Sequence, residues 1–289
     1  MDNKYRKLIE NITLENEKYT EKEMKAFYKA LKDELSSINT MLGDMFIKYG
    51  VIGSLKMTTS QKADMDVKTL LKNLTKRLGN MEVEKVSSIL SDTYLNTYYK
   101  TAFINDMGIK TTLKFDIAKK EFIDAAMNAK IDGEMFSDRI WNNKVLLADN
   151  VQGYLVNAMN GKLTLDQVAK SIRETFNTSA YNSKRLVNTE NAKMQSQASI
   201  DIANNLGIEK HMWSATLDNK TSTEDADRDG ILFDVNDTVN VIPSKPNCRC
   251  AWINVPYENW SPTNRRDNMT KEVIDYTDYK AWAKEKGIS

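Results

Sequence analysis

The sequence predicts a mainly α protein: a long helical N-terminal region, then a small antiparallel β-sheet module packed on a long helix, giving an α+β C-terminal part. Three observations carry this. Only four Pro and eleven Gly occur in 289 residues, and they sit mostly late, so a long stretch has few helix breakers. From about residue 2 to 206 the apolar positions recur at helical spacing. After Gly207, short segments rich in β-branched and aromatic residues alternate with turn chemistry.

Thr20-Glu21-Lys22-Glu23 reads as a capping box, with the Thr20 oxygen taking an orphan amide while Glu23 reaches back. From there Met24, Tyr28, Leu31, Leu35, Ile38, Leu42, Met45 and Tyr49 form a narrow heptad seam closed by Gly50. A seam this narrow packs one helix against another. Val67, Leu70, Leu71, Leu74 and Leu78 make a stripe that Gly79 is expected to end, and Val83 opens another helix running to about Met107-Gly108. Ser137 is placed to cap a helix through Ile140, Trp141, Val145, Leu155 and Val156, stopped near Asn160-Gly161. Thr164-Leu165-Asp166-Gln167 is a second capping box, opening a helix to about Phe176. A last long helix is expected from about Asn182 to Leu206, with Gly207 as its left-handed stop. Residues 211–218, 231–235 and 249–255 then read as strands of a small antiparallel sheet. The expected organisation is a helical region over 1–130, the sheet-bearing module over 131–255, and a polar tail over 256–289 that is loop-like until a short helix near Asp278–Lys286.

Composition excludes several classes. Hydrophobic residues make up 41% and charged residues 28%, with net charge +1, so there is no global case for a nucleic-acid or membrane binder. No apolar run approaches the roughly 18 residues of a membrane span. The N-terminal MDNKYRKLIE has no hydrophobic core of a secretory signal. Two Cys one residue apart cannot staple a secreted scaffold, and a reducing compartment is expected. Lys72, Lys76 and Arg77, and likewise Arg265 and Arg266, read as solvated faces.

Two stretches invite a site. Cys248 and Cys250 sit in "PNCRC", and only His211 is available to join them in a zinc set, so a fourth ligand would have to be a carboxylate. Alternation lets both thiols face one metal or line one apolar face, and free Cys is among the most buried residue types. A nucleophilic Cys would need His211 as its base, and nothing marks that residue for the role. In "DADRDG", Asp225, Asp227, Asp229 and Gly230 match the first positions of a calcium loop, with Leu232 at its apolar position. Against calcium, the closing position is Asn236 rather than Glu, and the preceding segment reads as strand and turn, where clustered Asp also serves local amides. No carboxylate pair, Ser/His/Asp set or nucleotide fingerprint stands out.

The order of late motifs resembles a known family. "FSDRIW", the 161–176 segment, "RLVNTENAKMQSQA", "GIEKHMWSATLDNKTS", an "RDGILF" turn and "PNCRC" follow one another as in the phage head morphogenesis family, the minor head proteins similar to protein F of bacteriophage Mu. The resemblance covers roughly the C-terminal half. It puts the family's Arg-x-x-x-Thr-Glu element on Arg185, Thr189 and Glu190, its Trp-to-Thr strand and turn on Trp213, Asp218 and Thr221, and its Asp-Gly turn on Asp229-Gly230. The closing element falls on Pro246, Cys248, Arg249 and Cys250. Many members add a C-x-x-C after the Thr and a His before the last Cys pair, which together suit zinc. This chain has "STEDA" and Lys245 in those places, so the resemblance implies a retained structural turn with no cofactor. It further implies a low-copy procapsid and head component, working in host cytoplasm during assembly and then in the virion. The implied partners are portal protein, capsid or scaffold proteins, and weakly DNA during packaging or ejection, with no enzymatic activity.

One more expectation concerns Arg249. Alternation along "RCAWINV" puts it with Ala251, Ile253 and Val255 on the more apolar face. If that face packs on the long helix, the guanidinium is partly buried and needs an acceptor. Glu190 is the first choice and Asp218 the second, the pair clamping the sheet to the helical body.

Overall fold

The computed structural model describes residues 2–109, 116–257, 260 and 262–288, with side chains from residue 11 on and without those of 106–109. In chain order the elements are α1 (Asp2–Tyr49), β1 (Gly50–Val51), β2 (Ser54–Leu55), α2 (Thr59–Asp64), α3 (Val67–Ile109), α4 (Lys120–Asn128), α5 (Phe136–Met159), α6 (Leu165–Asn205), β3 (Lys210–Ser214), α7 (Thr223–Arg228), β4 (Leu232–Asp234), β5 (Ala251–Val255), β6 (Asn264–Arg266), β7 (Val273–Asp275) and α8 (Tyr279–Glu285). The mainly α class with an α+β C-terminal part is therefore what the chain adopts. It divides into two compact units, a sheet-bearing one of Met1–Thr20, Ser88–Ala129 and Val187–Ser289, and a helical one of Glu21–Ser87 and Lys130–Leu186.

In the helical unit, Met24, Phe27, Leu31, Ile38, Leu42 and Met45 of α1 are buried. Five of these stand where the seam was expected, but Phe27, not Tyr28, fills the second position, and Leu35 and Tyr49 are only partly buried. Three helix boundaries fall elsewhere. Gly79 does not end a helix, because α3 continues through it. A Cβ at Gly79 would sit 2.3 Å from the Trp141 ring, so the glycine is there to admit that indole. The segments ending at Phe176 and starting at Asn182 are one helix, α6, opened by the Thr164–Gln167 box: Thr164 N–H donates to Gln167 Oε1 at 2.9 Å and Gln167 N–H to Thr164 Oγ1 at 3.4 Å. On α5 the buried stripe is Ile140, Leu147, Val151 and Leu155, while Val145 and Val156 are exposed. Its first turn is closed by Asp138, which accepts from Met135 N–H at 3.2 Å, two residues ahead of the cap expected at Ser137.

Within the sheet-bearing unit, Thr20 is not a helix start, since α1 runs straight through it. Its hydroxyl donates to Asn16 O at 2.8 Å and accepts from the Asn191 side chain. The three-stranded sheet has the order β4-β3-β5, all antiparallel, with Met212 opposite both Leu232 and Ile253. Gly207 ends the region after α6 with φ 68°. The tail is not loop-like. It forms an antiparallel hairpin, β6 with β7, then α8, whose Asp278 side chain accepts from Ala281 N–H at 2.8 Å. Arg265, expected on a solvated face, is 1% exposed, and Trp282 is completely buried.

Candidate functional site

The PNCRC turn sits between α6 and the start of β5, and α6 shapes it. Asn247, at φ 62°, donates its N–H to Thr189 Oγ1 at 3.0 Å, so two of the late sequence motifs meet in space. A line of small residues on α6, Ala192, Ser196 and Ser199, receives the strand that follows. Trp252 Nε1–H donates to Ser196 Oγ at 3.0 Å and the Asn254 amide to Ser199 O at 3.3 Å. The strand face turned to α6 is thus that of Trp252 and Asn254, not that of Arg249, Ala251 and Ile253. The reason is hydrogen bonding: the serines satisfy polar atoms which an aliphatic helix face would have left unpaired. Ile253 instead joins Ile12, Ile104, Met212 and Trp260.

Both thiols are free and buried. They lie with Asp225, and the three ligand atoms are all within 4.8 Å of one another. Cys248 is drawn down to about 6 by the hydrogen bond from Cys250, against the effect of burial. Cys250, the donor, is pushed up by that same bond and by burial. Asp225 is already provided for: its Oδ1 accepts from Ser244 Oγ at 2.7 Å, its Oδ2 from Ser222 Oγ at 2.9 Å, and Lys245 Nζ lies 3.3 Å from Oδ2. The Ser244 hydroxyl also contacts Cys248 Sγ at 3.6 Å. His211 is elsewhere, stacked on Trp252 at 3.5 Å between centroids, and burial lowers its pKa to about 4.

The three aspartates of DADRDG do not converge, which overturns the calcium-loop reading. Asp225 and Asp227 ride on α7, capped by Ser222, and Asp229 is its C-cap with non-helical backbone, so the three diverge. Asp225 goes to the cysteine cluster. Asp227 pairs with Lys280 at 3.0 Å on the surface. Asp229 is buried, accepting from Ala215 N–H and Tyr279 N–H, each at 2.8 Å, and paired with Arg265. Ser222 three residues ahead of Asp225 is an N-cap signature that the pattern of alternating Asp had masked. The Arg265–Asp229 pair, spanning 36 residues, has no local sequence signal.

Arg249 takes the second-choice acceptor. Its guanidinium makes two bonds to the Asp218 carboxylate, Nη2 to Oδ1 at 2.8 Å and Nη1 to Oδ2. Burial pushes Asp218 up, but Arg249, the Lys220 amide and Asn268 outweigh it and hold the carboxyl at about 2. Glu190, completely buried, lies 2.6 Å from Lys193 Nζ one turn along α6. The clamp as first drawn, Arg249 to Glu190, is therefore replaced by two separate pairs. Trp213 is fully buried under the Arg228 guanidinium, 5.2 Å from its ring centroid. Thr221 Oγ1 donates to Thr216 O. Gly230, at φ 81°, donates its N–H to Trp213 O at 2.9 Å, and a Cβ there would meet the Tyr276 hydroxyl at 2.7 Å. Pro246 is exposed, as is Arg185, which lies on the part of α6 in the helical unit.

The α6 shelf, the small sheet and the closing turn lie largely within residues 149–253, the stretch similar to the family model for phage Mu protein F like protein. Over a longer range the chain is 23% identical to the minor head protein GP7 of Bacillus phage SPP1, covering 98% of this chain and 96% of that protein. It is also 26% identical over 202 residues to an NAD(+)--arginine ADP-ribosyltransferase, EFV, of Enterococcus faecalis, a match of 64% of this chain but only 41% of that protein's length. No solved structure matches the chain.

Proposed function

We propose that the chain is a minor head protein of a tailed bacteriophage or prophage, built into the procapsid and head by contacts with other virion proteins. The observation that carries this is the similarity to a phage minor head protein along 98% of the chain. In the finer reading it acts at the portal vertex or capsid interior, with portal protein and capsid or scaffold proteins as partners, and contributes to DNA packaging or ejection. Net charge of +1 makes any DNA contact weak and steeply salt-dependent. No described helix is long and apolar enough to cross a membrane.

We infer a structural role rather than a catalytic one. What supports it is the use of the module's charged groups: Asp218, Asp225 and Asp229 are each engaged by cations and donors of the same chain. Residues 131–255 then act as the assembly module, and Arg249 with Asp218 clamps the approach to β5 onto the turn after β3. The activity named for the enterococcal protein is not carried over, because a match to 41% of it does not locate that activity. Mass spectrometry of purified procapsids and virions tests the proposal, with the chain expected in both at low copy. Absence from both particles overturns it. Co-purification with the separately expressed portal or scaffold protein then assigns the partner.

A further inference from the structure

The cluster of Asp225, Cys248 and Cys250 has the donor chemistry of a zinc-class site, and the residues around it do not fit a bound metal. A structural site of this kind uses four protein ligands, with thiolates and neutral imidazoles preferred. Here three ligand atoms come within 4.8 Å of one another, all on buried residues. His211, the only His in the chain, stacks on Trp252 instead. Both carboxylate oxygens of Asp225 already accept hydrogen bonds, from Ser244 and Ser222. Lys245 brings its own positive charge to 3.3 Å from Oδ2, with its side chain 37% exposed and so able to enter from solvent. A divalent ion at the thiols and Asp225 would meet that ammonium at close range, and like charges repel.

We propose that Lys245 is the resident cation of this cluster. Its ammonium neutralises Asp225 as a bound metal ion would, and it closes an otherwise assembled Asp-Cys-Cys set to zinc-class ions. The turn makes the arrangement self-contained. Ser244 bridges Asp225 and Cys248, Lys245 follows it in sequence, and the Cys248 N–H donates back to Lys245 O at 3.1 Å. The site is thus latent: exchanging Lys245 for an imidazole removes the charge and adds a fourth ligand.

The test uses the full chain and two probes, Zn2+ measured by elemental analysis after dialysis and Co2+ read by its thiolate charge-transfer absorption. The wild-type chain is expected to retain neither ion stoichiometrically, and its melting temperature should not move with chelator. Lys245→His should bind one equivalent, with affinity raised on the order of 100-fold over wild type. It should show the charge-transfer band and lose both on adding Cys248→Ser. Stoichiometric zinc in the wild-type chain, or a chelator-induced fall in its melting temperature, overturns the proposal whatever the variant does. A folded Lys245→His chain that gains no metal affinity also overturns it, since the lysine would then not be what closes the site.

Discussion

The two units solve the same problem, holding long helices in register, by different means. The helical unit relies on shape, with an apolar seam on α1, a glycine at 79 admitting the Trp141 ring, and one buried ion pair. In that pair Lys144 Nζ lies 2.7 Å from Glu82 Oε2, both side chains completely buried. Ser179 and Ser183 of α6 take further bonds from the ammonium at 3.2 and 3.1 Å. The sheet-bearing unit has strands of three to five residues, too short to bury a wide face. It is closed by charged side chains reaching into loops: Asp229 to Arg265, Asp218 to Arg249, and Asp267 to the Trp282 indole at 3.0 Å. Where elements are long, periodic packing carries most of the work, beside the buried Lys144–Glu82 pair. Where they are short, polar groups fix the loops that packing cannot.

The sharpest break of this contrast is to remove the buried charges. Asp229→Ala strands the Arg265 guanidinium and two backbone amides, so unfolding free energy should fall by about 3–5 kcal/mol. Lys144→Met strands Glu82 and should cost a similar amount. The double replacements should differ. Glu82→Leu with Lys144→Met is expected to be near neutral, because both charges leave together and the Ser179 and Ser183 hydroxyls lose only a donor to their oxygens. Asp229→Leu with Arg265→Met should stay destabilised by about 1–3 kcal/mol, since the Ala215 and Tyr279 N–H groups remain buried without an acceptor. Urea denaturation of the four variants checks this, and equal recovery in both units would erase the distinction.

The next effect is acid sensitivity confined to the sheet-bearing unit. His211 is 1% exposed, and burial holds its pKa at about 4 against an ordinary value of 6.5. The unfolded chain therefore binds a proton in this range and the folded one does not. Its contribution is complete above about pH 6.5 and is lost as pH falls toward 4, about 3 kcal/mol in all. A His211→Phe chain, keeping the ring stack on Trp252, should lose that slope in a pH series of melts. An unchanged slope would mean that the acid loss comes from carboxylates. Below it in size comes Arg249→Ala. With the arginine side chain 30% exposed, the loss should be about 1–2 kcal/mol. The pair's contribution is present above about pH 4 and fades as pH drops toward 2, where Asp218 protonates in the folded state.

This contrast also explains which parts of the chain were legible in its sequence. Helical periodicity reports burial directly, so the seam from Met24 to Met45 and the Gly207 stop could be read from spacing alone. The strands were legible too, as β-branched and aromatic runs. Glycine misled at residue 79 because tight packing and helix termination use the same residue. At the site, the alternation of Asp225, Asp227 and Asp229 suggested one loop, whereas a helical turn and its C-cap send each in its own direction. Arg265 carried no signal, because its burial depends on Asp229 and on a hairpin formed later in the chain. Arg249 was legible as needing an acceptor but not as to which one, since that depended on which strand face α6 receives.

The smallest expected effect lies in the helical unit and tests whether strain can sit outside the polar networks. Ile52 and Gly53 form the turn of the β1–β2 hairpin with φ 51° and 76°. Positive φ at both central residues suits Asn-Gly, and a β-branched residue there crowds its own backbone. Ile52 is 100% exposed, so within the chain its side chain buries nothing to offset that cost. Ile52→Asn should therefore stabilise, by about 0.5–1 kcal/mol, and raise the melting temperature by about 2 °C. The gain should add to the loss from Asp229→Ala without coupling, because the hairpin and the Arg265 network belong to different units and share no partners. A lower melting temperature in Ile52→Asn would show that the isoleucine, not the turn geometry, stabilises the hairpin.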